Sequence, residues 1–158
     1  MEMRRKELAV TGADALDKII MDCDCIRLAL ADGDYPYIVP VNFGYQREDG
    51  QAIFYIHSGG AGRKLELCRA NKRCGFELDT GRKLKTSEAP CSFSMEYESI
   101  IGIGDLVELT SVEEKAKALG VIMTHYSGKA DWDFPEKAVE KTCVLRMIGK
   151  DMTGRKHT

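Results

Sequence analysis

Residues 55–67, YIHSGGAGRKLEL, combine three glycines with an adjacent pair of cations, Arg63 and Lys64. Glycines just before a helix leave backbone N–H groups free, and the helix dipole adds partial positive charge at that end. Two cations in the first helical turn are unfavourable for an isolated helix, so they favour an anion held between them. A solvated basic pair explains the same residues equally well, and the pattern alone leaves both interpretations open.

This loop is not a nucleotide-binding P-loop. That motif, G-x-x-x-x-G-K-[ST], needs a lysine directly after the glycine and then a hydroxyl for Mg²⁺. Here Arg63 separates Gly62 from Lys64, and Leu65 stands where the hydroxyl is required. His57 closes the apolar stretch before the loop. Taken alone it favours a histidine hydrogen-bonded at a strand end, although imidazole also titrates near neutral pH and serves as an acid or base.

Composition narrows the class of protein. The 158 residues are enough for one domain, 1–158, with a full core. They are 44% hydrophobic and 30% charged with a net charge of -2, which predicts a soluble, cytoplasmic protein without a nucleic-acid or membrane partner. The basic N-terminus has no apolar segment after it, and no apolar run approaches the length of a membrane span. Six cysteines without a C-x-x-C pair and three scattered histidines predict reduced, mostly buried thiols and no metal site.

The elements that must position the loop are mostly strands. A helix is predicted over 12–22, with Thr11 as N-cap and one apolar stripe. Three strands over 25–31, 36–45 and 51–57, joined by the turns DGDY and REDG, predict an antiparallel meander. Pro40 interrupts the second of them, which indicates a sheet edge, a bulge or an irregular site.

The second half of the chain continues this pattern. A short helix over 61–70 follows the loop, and Ser111 with Glu114 predicts a capped helix that runs to about 125. The remaining predictions are a strand at 73–78, a polar loop at 79–90, a long strand at 92–109 that bends or bulges at Gly102 and Gly104, a last strand at 141–149 and a solvated tail. The fold class is therefore mainly β with peripheral helices, a six-stranded antiparallel barrel, with a sandwich as the less favoured alternative.

Five segments together resemble the nitroimidazole-resistance (Nim) proteins, which belong to the pyridoxamine 5′-phosphate oxidase-like, FMN-binding split barrels. The segments cover almost the whole chain in the expected order: MRRKEL at 3–8, YPYIVPVNFGY at 35–45, YIHSGGAGRKLEL at 55–67, YESIIGIGDLVEL at 97–109 and LRMIGKDMTGRK at 145–156. The resemblance implies a six-stranded split β-barrel and a homodimer with flavin in the interface, FMN or alternatively FAD.

Site residues follow from the resemblance position by position. It implies that the flavin ring lies along Val39, Pro40, Val41 and Asn42, and that Ile56, His57 and Ser58 come from the adjacent strand end. Arg63 and Lys64 are expected to bind the phosphate, and Tyr97 and Ser99 to approach from the partner subunit. Trp132, the only tryptophan, packs either near the flavin or in the core or an interface.

The implied function is that of a flavin-dependent oxidoreductase, most like a nitroimidazole reductase, with His57 as the catalytic proton donor. The C-terminal GKDMTGRKHT lacks the substrate segment of pyridoxamine-phosphate oxidases, which argues against pyridoxal-phosphate synthesis. Two alternatives stay open: a non-catalytic flavin-binding or redox-sensing module, and a split-barrel reductase that uses a deazaflavin.

Overall fold

The structure is a computed structural model that describes residues 5–158, so the first two residues of the MRRKEL segment lie outside it. Over the described residues there are eight strands and four α-helices, with short 3₁₀ turns at Lys6–Leu8 and Pro90–Ser92. In chain order the elements are β1 (Ala9–Val10), α1 (Ala13–Met21), β2 (Ile26–Asp32), β3 (Tyr35–Val41), β4 (Gly44–Glu48), β5 (Gln51–Ser58), α2 (Arg63–Asn71), β6 (Arg73–Lys85), β7 (Ser94–Glu108), α3 (Val112–Ser127), α4 (Glu136–Lys141) and β8 (Cys143–His157).

All strands belong to one antiparallel sheet in the order β3-β2-β6-β7-β8-β5-β4, and β1 pairs with the end of β8. The predicted mainly β fold class is confirmed, but the count of six strands was wrong. Residues 36–45 form two strands instead of one, and β1 was not foreseen. The meander was wrong for the same reason, because β3 and β4 are at opposite ends of the sheet.

The two edge strands are joined by only two residues, Asn42 and Phe43. Since consecutive Cα atoms are about 3.8 Å apart, the sheet has to curl until its two edges meet at this point. β3 and β4 do not pair, so the barrel stays split along a seam. Tyr126 of α3 holds the seam: its hydroxyl accepts a hydrogen bond from the Phe43 N–H (3.0 Å) and donates one to the Asp24 carbonyl (2.7 Å).

Every second side chain along the strands points inward, and these side chains fill the barrel. Leu28 of β2, Phe54 of β5, Phe76 of β6 and Leu145 of β8 are all at most 3% exposed and belong to one core, as expected when one face of each strand turns inward. On the opposite face, α3 covers β5 and β8 with a second apolar cluster that consists of Ile53, Tyr55, Leu109, Ala118, Ile122 and Val144. The inner face is therefore closed, and the outer face is covered only at the β5–β8 end.

One of the two helix caps predicted from the sequence is present in the structure. Ser111 caps α3 by accepting a hydrogen bond from the Glu114 N–H at 3.3 Å, so that capping box is confirmed. The predicted Thr11 cap was wrong, because the N-cap of α1 is Gly12 and no side chain caps that helix. The apolar stripe of α1 does pack inward, with Ile19 and Ile20 buried.

The last segment is a strand and not a solvated tail. β8 runs to His157 and pairs with β7 and β1, so that Ser99 and Ala9 flank Arg155. β6 likewise continues to Lys85 through residues predicted as loop. The predicted bulge near Gly102 is confirmed by a register shift between Ile101 and Ile103, and a Cβ at Gly102 would come within 2.5 Å of the Phe76 ring.

Candidate functional site

The glycine-rich loop ends at an open helix start. Gly62 is the N-cap of α2, with φ 127, which a side chain rarely permits, and no side chain caps the helix. Its carbonyl accepts the N–H groups of Leu65 and Glu66 at 3.0 and 3.1 Å, which leaves the N–H groups of Arg63 and Lys64 without an intrahelical acceptor. A Cβ at Gly59 or Gly60 would meet nothing within 4 Å, so the loop borders free space. This end of α2 has the shape of an anion cradle.

Arg63 reaches back to the turn between β2 and β3. Its guanidinium donates to both carboxylate oxygens of Asp32, with Nε 3.0 Å from Oδ2, and this hydrogen-bonded pair raises the pKa of Arg63. The sequence interpretation missed Asp32, although the acidic DGDY turn was its signal. Lys64 is half-buried on the same turn of α2, and its charge opposes the effect of burial, which raises the pKa of the Cys68 thiol.

His57 lies on the outer face at the end of β5, opposite Val144 of β8. Its side chain is exposed and makes no hydrogen bond or ion pair with any residue in 5–158. Within residues 5–158, His57 is therefore not a histidine that is hydrogen-bonded at a strand end. Asn42 is in the two-residue connection at the seam, and His57 is two residues beyond Tyr55, which pairs with Gly44 at the start of β4. The seam thus brings together Asn42, His57 and the start of the glycine loop.

Within the predicted flavin-lining segments, side chains and backbone have different roles. Val39 and Val41 pack against the core, whereas Pro40 and Asn42 are exposed. The side chain of Ile56 is fully buried, so this residue could touch a ligand only through its backbone. β3 pairs with β2 alone, which leaves backbone groups free along its other edge and makes Pro40 an edge proline.

Tyr97 and Ser99 lie on the outer face of β7 in another part of the sheet. Tyr97 is paired with His157 and stacks on its ring at 6.0 Å, and the Arg155 guanidinium lies 5.6 Å from the centre of the Tyr97 ring. Ser99 stands between Asp79 of β6 and Arg155 of β8. Within one chain these residues are separated from His57 by β8, so they form a second group.

An apolar surface, here called the outer patch, crosses the sheet between these groups. Ile38, Ala29, Gly75 and Ile103 form one row across four strands, as their register shows. The patch comprises the outward apolar side chains Ile38 (62% exposed), Ile101 (47%) and Ile103 (46%). No helix covers it, and contiguous exposed apolar surface of this kind marks an interaction site.

Trp132 is not part of this arrangement. It follows α3, donates its indole N–H to the Lys129 carbonyl at 2.7 Å and lies under the Lys129 ammonium. It lines a separate cleft of about 460 Å³ beside α3, together with Tyr45, Tyr55 and His125. Neither His57 nor Arg63 and Lys64 line that cleft.

Residues 5–158 contain neither a metal cluster nor a membrane-spanning helix. No group of three or more His, Cys, Asp or Glu side chains there could hold a metal ion. No helix there has both the length and the apolar character needed to span a membrane. The cysteines are free, with Cys23, Cys68, Cys74 and Cys143 buried as predicted.

The sequence profile of the pyridoxamine 5′-phosphate oxidase family matches residues 12–156. The chain belongs to this family. The resemblance to the Nim-like branch is confirmed by a solved structure: a candidate 5-nitroimidazole antibiotic resistance protein from Bacteroides thetaiotaomicron is 31% identical, with a TM-score of 0.80 over 94% of this chain and 86% of that one. No curated protein matches the chain.

Two more distant structures share the fold. The flavocytochrome Anf3 from Azotobacter vinelandii is 17% identical, with a TM-score of 0.79 over 99% of this chain and 72% of that one. The FAD and heme binding protein from Mycobacterium smegmatis is 15% identical, with a TM-score of 0.77 over 94% and 72%. At these identities the likeness concerns the fold alone.

Proposed function

We propose that this member of the pyridoxamine 5′-phosphate oxidase family is a cytoplasmic flavoprotein that binds FMN and reduces small nitroaromatic acceptors. The observation that carries the proposal is the uncapped, glycine-bordered start of α2, with Arg63 and Lys64 beside the seam that presents His57 and Asn42. The family and the flavin-binding relatives support it.

The residues fit the groups of a flavin. The free amides of the first turn, Arg63 and Lys64 offer the donors and charge that a phosphate needs. Asp32 holds the Arg63 guanidinium at the mouth of the cradle before the phosphate arrives. The free edge of β3 from Val39 to Asn42 offers backbone groups to the polar edge of the ring. No carboxylate besides Asp32 and Glu66 pairs with Arg63 among the described residues.

Bound flavin would supply the electrons, and the chain would supply position and protons. A nitro group that accepts an electron pair also takes up two protons and loses water, so a donor beside it lowers the barrier. His57 is exposed at the end of β5 and makes no side-chain hydrogen bond with residues 5–158, so its imidazole is free to meet a bound acceptor. It is therefore the residue that we assign to proton donation.

Flavin titration tests the binding step. In Arg63→Met/Lys64→Met, FMN affinity should fall by about 100-fold or more, because each charge-assisted contact contributes about 1.5–3 kcal/mol. The matched control is Arg82→Met/Lys83→Met, an adjacent Arg–Lys pair that is exposed on β6. If both double variants bind FMN as the wild type does, the phosphate does not lie at α2. The same titration with FAD decides between the two flavins.

His57→Ala tests the chemical step. FMN should still bind, because the cation pair and the β3 backbone remain, while reoxidation of photoreduced protein by a nitroimidazole should slow by about 10²–10⁴-fold. Stability should change by less than about 0.5 kcal/mol, since no internal hydrogen bond is lost. Full activity in the flavin-loaded variant would remove His57 from the mechanism. A wild type that binds FMN but reduces no acceptor would be a non-catalytic flavin-binding protein.

A further inference from the structure

Arg155 has no anionic partner within residues 5–158. It lies on β8 between Ser99 and Ala9, half-buried, and its Nε is buried with no hydrogen-bond partner. Its guanidinium forms no ion pair with any residue from 5 to 158 and lies over the face of the Tyr97 ring, 5.6 Å from the ring centre. A half-buried charge without a partner is costly, so such a group marks a place where another molecule completes the contacts.

The neighbouring carboxylates are already engaged. Asp79, which is paired with Ser99, accepts a hydrogen bond from Arg27 at 2.7 Å and pairs with Arg82 at 3.1 Å. Glu98, the residue before Ser99, pairs with Lys156. The nearest acidic side chains of β6 and β7 therefore neutralise other cations, and neither strand offers Arg155 a free anion.

The surroundings define which chemical group Arg155 can bind. A guanidinium is a planar fork that matches two oxygens in one plane, as in a carboxylate or a nitro group. The Tyr97 ring lies beside the guanidinium, and Ser99 adds a hydroxyl donor on the same face of the sheet. Ile101, 47% exposed, is the next outward residue of β7 and offers apolar contact to a ring.

We propose that Arg155, Ser99 and Tyr97 form a binding site for the planar two-oxygen group, carboxylate or nitro, of a small aromatic molecule. The role of that molecule as the electron acceptor rests on the proposed function, whereas the anion site itself does not. Arg155 is thus the residue that recognises the ligand, and the Tyr97 ring positions its guanidinium.

Titration calorimetry with benzoate tests the site directly, and benzyl alcohol serves as the neutral ligand of similar shape. The wild type should prefer benzoate. Arg155→Met should weaken benzoate binding by about 10–100-fold, as for the loss of a charge-assisted contact, and should leave benzyl alcohol binding unchanged. Arg155→Lys keeps the charge without the planar fork, so its affinity for benzoate should lie between those of the wild type and Arg155→Met. The control Arg82→Met, on a neighbouring strand, should bind benzoate as the wild type does.

Thermal unfolding of the same variants separates recognition from structure. Without ligand, Arg155→Met should melt at or above the wild-type temperature, because it removes an uncompensated charge and no internal hydrogen bond. Several results overturn the proposal: no benzoate binding by the wild type, equal binding by wild type and Arg155→Met, or equally tight binding of inorganic phosphate. Loss of a dimer in Arg155→Met would also overturn it, since Arg155 would then pair with a second copy.

If Arg155→Met does not fold, Arg155→Lys decides, and wild-type affinity for benzoate in that variant overturns the proposal. Titration of the same samples with FMN distinguishes the two proposals. Benzoate binding through Arg155 without FMN binding would leave the anion site standing and remove the proposed function. FMN binding by the wild type, together with benzoate binding that Arg155→Met does not change, would leave the proposed function standing and remove the anion site.

Discussion

Among single residues, Tyr126 does most to hold the seam. Tyr126→Phe should lower the free energy of unfolding by about 1–3 kcal/mol, because the Phe43 N–H is left without its partner and the bond to Asp24 is lost. Chemical denaturation measures the change. Tyr35→Phe is the matched control, since Tyr35 is 81% exposed and forms no side-chain hydrogen bond among the described residues. Equal midpoints for the two variants would show that Tyr126 does not secure the seam.

At the scale of elements, the two helix starts offer a direct comparison. Ser111→Ala should destabilise the protein by about 1 kcal/mol, because the Glu114 N–H loses its capping oxygen. Thr11→Ala should change stability by less than about 0.5 kcal/mol, because Thr11 caps nothing in the structure. Denaturation midpoints of the two variants provide the measurement. A larger loss at Thr11 than at Ser111 would contradict the observed caps.

A second element-scale contact makes stability depend on pH. Arg69 of α2 donates to both oxygens of Glu108 at the end of β7, at 2.7 and 2.8 Å, and these bonds lower the pKa of Glu108 from 4.5 to about 2. The Cys143 thiol also donates a hydrogen bond to Glu108 at 3.3 Å. Burial is the main cause, and the Glu108 carboxylate the second, that raises the pKa of Cys143 to about 11. A lowered carboxyl pKa stabilises the fold above pH 4.5 and loses that effect as the pH falls towards 2.

Glu108→Gln should therefore be less stable than the wild type at neutral pH, with the difference shrinking between pH 4.5 and 2. Denaturant midpoints at a series of pH values measure this. Glu88→Gln, in an exposed loop, should have the same denaturant midpoint as the wild type at every pH. A constant difference between Glu108→Gln and the wild type over that range would mean that the ion pair is not its source.

For the whole molecule, the outer patch predicts a homodimer with the flavin at the interface. Ile103→Glu should give monomers in sedimentation velocity and lose FMN, because dimerisation would bury an unpaired carboxylate on the patch. Met123→Glu, on the exposed side of α3 at 38% exposure, should remain a dimer. Dilution of the wild type to monomer should release the flavin. A wild-type monomer that retains FMN would exclude an interface site.

Much of the site could be predicted from the sequence because its signals are local. The glycines and cations lie within six consecutive residues, 59–64, between the end of β5 and the first turn of α2. The placement of Tyr97 and Ser99 on β7 also followed from one continuous strand. The ion pair between Arg63 and Asp32 could not be predicted from the sequence, because it joins residues 31 positions apart and depends on how α2 packs on β2.

The sequence alone determined the conformation of short segments: the helix of residues 13–21, the Ser111 cap and the open loop before α2. These depend on side-chain period, caps and turn chemistry within a few residues. Only the tertiary structure decided the order of strands, the seam between β3 and β4 and the isolation of Arg155. The C-terminal residues after Gly149 look polar and solvated in the sequence, yet they form a strand because β1 and β7 offer their backbone groups there. Pairing partners so far apart leave no local pattern, since burial and hydrogen bonding are fixed only when the chain closes on itself.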